Sequence, residues 1–103
     1  MSLRYHREAQ AELDEALAFY AGQHVSLPGA LLREVAAGER AIAERPQAWR
    51  RIGGVFRVRW LRRFPYGLIY HVAGDDITVY AVAHMRRKPG YWRGRASSAR
   101  PSR

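Results

Sequence analysis

The 103-residue chain contains no cysteine. Disulfides and thiolate metal sites are thereby excluded, and a reducing compartment is compatible. No apolar run approaches the ~20 residues that a membrane helix needs. The opening residues Met1-Ser2-Leu3-Arg4-Tyr5-His6 pass directly into a charged pattern, with no signal-peptide core. The expectation is a soluble cytoplasmic protein with no membrane partner. Lysine is almost missing: of 18 basic residues 17 are Arg, and Lys88 is the single Lys. Guanidinium groups favour planar, bidentate recognition of phosphate and carboxylate. Acids are scarce in the second half. Residues 46–103 set twelve Arg and Lys88 against Asp75 and Asp76, a net of +11, whereas residues 1–45 hold five Arg and seven acids, a net of −2. Such asymmetry suggests one face for a polyanion or an acidic partner. There is no Gly-rich phosphate loop before a helix and no nucleophile elbow. His6, His24 and His71 lack metal-ligand spacing. No metal and no cofactor are expected.

What is present reads as one small α+β domain. Leu3 to Tyr5 suits a short opening strand. Ala9, Leu13, Ala16, Leu17 and Tyr20 then follow helical spacing from Arg7 to Gln23. Glu8, Glu12 and Glu15 lie on the other side and read as a solvated face favoured by the helix dipole. Ser26-Leu27-Pro28 reads as the start of a second helix, with Ser as N-cap and Pro in the first turn. Leu31, Leu32, Val35, Gly38 and Ile42 form its stripe, and Pro46 ends it near Arg45. The short link between the two predicts an antiparallel hairpin. After Gly53-Gly54 the period becomes two. Runs at Phe56–Leu61, Tyr66–Ala73 and Ile77–Ala83, with a tight turn at Gly74-Asp75-Asp76, predict a three-stranded antiparallel meander. The helix hairpin laid on this sheet gives two layers, with the helices expected over the Phe56, Val58 and Trp60 face. The domain is expected to span residues 1–93. Residues 94–103 have little to bury and read as a disordered basic tail.

Arg57 and Arg59 share one face of their strand, and Arg62 and Arg63 follow at its end. With Arg86, Arg87 and Lys88 after the last strand they would make one basic, partner-binding or nucleic-acid-binding patch. The stretch His84-Met85-Arg86-Arg87-Lys88-Pro89-Gly90-Tyr91-Trp92 places an imidazole, cations, a phenol and an indole together. His84 has a catalytic reading, through an imidazole suited to proton transfer, and a structural one, as a strand-end side chain. Tyr91 either stacks on bases or caps the core, and Trp92 is expected in the core.

The helix hairpin, Pro46, Arg57, Phe64-Pro65-Tyr66, Tyr70 and the His84–Trp92 ending, in this order, resemble the RelE/ParE toxin superfamily. The stretch Ala-Glu-Leu-Asp-Glu-Ala-Leu-Ala-Phe-Tyr at 11–20 is similar to that family's first helix, and the likeness covers about residues 3–93. The resemblance implies a type II toxin–antitoxin toxin of the plasmid-stabilisation kind, whose first strand joins the sheet. It implies a cognate antitoxin with an acidic, amphipathic segment. RelE-like members cleave mRNA on the ribosome, whereas ParE-like members block DNA gyrase. A metal-independent endoribonuclease here would use Arg59 or Arg63 on phosphate and His84 or Tyr91 on protons. The second run lacks the lysines of RelE and the Glu of the Glu/His type. The Phe-Pro-Tyr run and the His84–Trp92 ending favour the ParE-like group and gyrase, with the ribosome and mRNA as the alternative target. A non-toxic basic nucleic-acid-binding domain is the third reading.

Overall fold

The computed structural model describes residues 2–98. Its elements are β1 (Ser2–Tyr5), α1 (Arg7–Ala21), α2 (Leu27–Glu44), β2 (Arg50–Gly53), β3 (Phe56–Trp60), β4 (Tyr66–Ala73), β5 (Asp76–His84) and α3 (Arg93–Ser98). The strands form one sheet in the order β1-β5-β4-β3-β2. The first strand runs parallel to β5, and the remaining pairs are antiparallel. The expected α+β architecture is therefore observed, with one strand more than the meander predicted. Strand β2 has no alternating apolar pattern in Arg50-Arg51-Ile52-Gly53, so its pairing with β3 rather than its composition makes it a strand.

Both helix starts fall where expected, but the side-chain cap anticipated from Ser26 does not form. His6 caps α1, its Nδ1 accepting from the Glu8 amide at 3.1 Å. Ser26 stands at the N-cap of α2 in helical geometry and makes no side-chain cap bond. Instead its hydroxyl lies 2.8 Å from His24 Nδ1. The β4–β5 connection uses Gly74 at φ +61°, the left-handed value needed at the first central position of a II′ hairpin turn.

The helices cover the opposite sheet face from the one expected. Their buried stripe, including Leu13, Leu31, Val35 and Ile42, packs on Leu68, Tyr70, Ile77 and Val79. In register, Arg57 faces Tyr70 and Arg59 faces Leu68, so both arginines stand on the helix side. Phe56, Val58 and Ile69 occupy the other face with Tyr80, and Trp92 closes it at 6% exposure. Strand β4 is apolar on both faces, so the alternation in β3 alone cannot tell which face the helices take. The core placement of Trp92 holds. Residues 93–98, partly within the segment read as a disordered tail, form α3, and residues 99–103 lie outside the described ones.

Two glycines mark close approaches. A Cβ on Gly38 would meet the Leu68 Cδ1 at 3.0 Å, so a side chain of the sheet, rather than a backbone, comes down on α2. A Cβ on Gly67 would meet Val58 Cγ2 at 2.7 Å and the Trp60 ring at 2.8 Å. Gly67 pairs with Trp60 across the strands, and the indole lies over its bare Cα. Gly67→Ala should therefore overpack the site and lower stability by about 1–3 kcal/mol, read as a lower urea midpoint at unchanged slope. An unchanged midpoint would show that the indole swings away freely.

Candidate functional site

The β3–β4 connection and the chain leaving β5 meet at one end of the sheet. Tyr66 pairs with His84, and the Met85 amide donates to the Pro65 carbonyl at 2.9 Å. Arg62 and Arg63 line one groove with Trp60 and Met85, Arg87 and Lys88 line another with the same two side chains, and Arg86 precedes them in the chain. All five are exposed. Between them stand two large apolar side chains in solvent, Trp60 at 41% and Met85 at 61% exposure. Of the seven cations expected to form one patch, these five are exposed at this end of the sheet. Arg57 and Arg59 are not among them. Arg57 donates to the Trp49 carbonyl at 2.8 Å and to Gln47 Oε1 at 2.9 Å. The Arg59 guanidinium lies 4.7 Å from the Trp49 ring and also donates to the Trp60 carbonyl. Trp49 itself donates to Ala41 of α2. The two arginines thereby help fix the segment that joins α2 to the sheet.

Carboxylates of the helices hold this end in place. Glu34, 11% exposed, accepts from the Arg62 and Arg63 amides at 2.8 and 3.0 Å and from Arg63 Nε at 2.9 Å. Burial alone would raise its pKa, but these bonds outweigh it and hold the carboxyl below its ordinary 4.5. Glu12, read from sequence as solvated, is 13% exposed. Its Oε1 accepts from the Val82 amide at 2.9 Å, and its Oε2 from the Tyr91 hydroxyl at 2.9 Å and Arg95 at 2.8 Å. Arg95 also donates to the Tyr80 carbonyl. Nothing near Glu12 in sequence signals this role, because its partners arrive from the far end of the chain.

The proton-transfer candidates have defined partners. Burial, the hydrogen bond to Glu12 and the charge of that carboxylate push the Tyr91 phenol well up, against the opposing effect of Arg87 and Arg95. It stays protonated at neutral pH. The Arg87 guanidinium covers its ring at 3.8 Å. His84 packs edge-on to Tyr66 at 5.1 Å, and its Nδ1 accepts from the Arg86 amide at 3.1 Å. That bond assigns the proton of the neutral ring to Nε2, so the imidazole presents a donor. His84, Tyr91 and Trp92 line a mainly apolar groove of about 310 Å³ with Trp60, Met85 and Lys88. Arg59 and Arg63 do not line it. Among the described residues no cluster of three or more His, Asp or Glu is placed to hold a metal ion. No described helix is long and apolar enough to cross a membrane.

Residues 3–89 match the family model described as ParE toxin of type II toxin-antitoxin system, parDE. The chain belongs to the ParE toxin family. A chain of the chromosomal ParDE TA system from P. aeruginosa shares the fold, with a TM-score of 0.70 at 20% identity over 82% of this chain and 95% of that one. No curated protein matches. For a ParE toxin, the arrangement is an exposed cationic and apolar wall on a frame fixed by internal carboxylates.

Two outcomes follow from those carboxylates. Glu12→Gln should lower stability by about 1–3 kcal/mol and speed hydrogen exchange at the Val82 amide. Unchanged exchange there would refute the role given to Glu12. Glu34 has a folded-state pKa below its unfolded value, so its contribution is present above about pH 4.5 and is lost as pH falls through the folded value. The stability gap between wild type and Glu34→Gln should be constant near neutrality and close on acidification. A gap independent of pH would contradict the assignment.

Proposed function

We propose that this ParE-family toxin acts in the cytoplasm by inhibiting DNA gyrase and is neutralised by a cognate antitoxin through an acidic, amphipathic segment. The observation that carries the inhibitor reading is the commitment of the proton-transfer candidates. The Tyr91 hydroxyl is given to Glu12, His84 presents a donor rather than a base, and Arg59 is stacked on Trp49. A ribonuclease needs a base for the 2′-hydroxyl and cations on the phosphate in one place. Here the exposed cations stand around Trp60 and Met85, a surface suited to a protein partner: aromatic and arginine anchors carry most interface energy. Such a wall also favours association with an acidic antitoxin segment.

Induction of the wild type beside His84→Ala and an Arg62→Glu/Arg86→Glu double variant tests this. The wild type should arrest growth and inhibit supercoiling by purified gyrase. His84→Ala should retain inhibition within a few-fold, whereas the charge-reversed wall should lose at least tenfold, about 1.4 kcal/mol. Intact supercoiling with new RNA 5′ ends that vanish in His84→Ala would instead make the toxin an mRNA endonuclease.

A further inference from the structure

At the opposite end of the sheet from His84, on the helix side, lies a cavity of about 280 Å³ lined by Arg51, Arg57, Gln47, Tyr70, Val55 and Val72, among others. Arg51 and Arg57 are directly paired across β2 and β3. Side chains paired in this way share a face, and like charges placed so destabilise a sheet. No carboxylate lines the cavity to relieve them. Both guanidiniums are nonetheless held in place: Arg57 by the Trp49 carbonyl and Gln47, Arg51 by the Gly54 carbonyl at 3.1 Å. Each carries further N–H donors beyond those bonds.

We propose that this cavity binds a phosphate group, bridged by Arg51 and Arg57. A planar carboxylate is satisfied by one guanidinium fork, whereas a tetrahedral phosphate offers oxygens to two forks at once. The cavity exceeds the volume of inorganic phosphate, and Val55 and Val72 provide an apolar wall for the rest of a phosphorylated molecule of nucleotide size. The site is separate from the wall around Trp60 and Met85 and does not depend on gyrase being the target.

Arginine side-chain Nε–H signals followed by NMR test the site in the full-length protein, at ionic strength matched with chloride. The probes are inorganic phosphate and a short oligothymidylate. The Arg51 and Arg57 signals should shift saturably with phosphate if a phosphomonoester is the natural ligand. They should shift with the oligonucleotide alone if a nucleic-acid backbone is. Arg51→Gln and Arg57→Gln should each weaken binding about tenfold, the loss of one charge-assisted interaction, while Arg4→Gln, at the far edge of the sheet, leaves it unchanged. Arg57 also holds Trp49, so the exposed Arg51 supplies the variant whose fold is safe, checked by circular dichroism. Absence of a response from both probes, or an equal loss in Arg4→Gln, would overturn the proposal.

Discussion

The carboxylate of Glu12 does the work of a missing strand. Strand β1 accompanies β5 only from Asp76 to Val79. Beyond that point the inner strand has an open edge, with backbone groups that need partners. Glu12 takes the Val82 amide, and Arg95 supplies the Tyr80 carbonyl. The same carboxylate binds Arg95 and Tyr91, so closing the edge also ties the C-terminal segment to α1. That segment carries Trp92 across the second sheet face. The groove beside His84, the pose of Tyr91 and the second half of the core therefore hang on one side chain of the first helix.

The division of charge along the chain takes on an internal meaning in this light. Acids of the helix hairpin meet groups of the sheet half: Glu12 meets Arg95 and Glu34 meets Arg63. Glu39 likewise accepts from Tyr5 of β1 at 2.6 Å. Part of the asymmetry is thus consumed in docking helices to sheet. Among the remaining cations, two groups lie toward opposite ends of β3 and β4. The cations around Trp60 and Met85 form the surface proposed for a macromolecular partner. Arg51 and Arg57 line a half-open pocket.

The fold was largely legible because periodicity is local. The stripes Leu13–Ala16 and Leu31–Val35–Ile42 and the runs at β3 to β5 could be read from spacing alone. Strand β2 was not, because Arg50 and Arg51 carry no apolar alternation and only pairing with Val58 and Arg57 makes them a strand. The face taken by the helices was misread because Leu68 and Ile69 are equally apolar while pointing to opposite sides. The exposure of Arg62 and Arg87 was legible, since both follow strand ends, and each set of cations lines a groove with Trp60 and Met85. Glu12 was not, since it lies on a helix flank otherwise composed of solvated acids, and its partners stand 70 to 83 residues away.

Gly67 has a consequence beyond packing. By leaving its Cα bare it gives the Trp60 indole a seat between Val58 and the strand backbone, so a large aromatic ring stands in solvent without wandering. A side chain already confined surrenders little rotamer entropy when a partner closes over it. In the proposed complex the smallest residue of β4 would thereby set how much of the contact energy at Trp60 survives as affinity, without touching the partner itself.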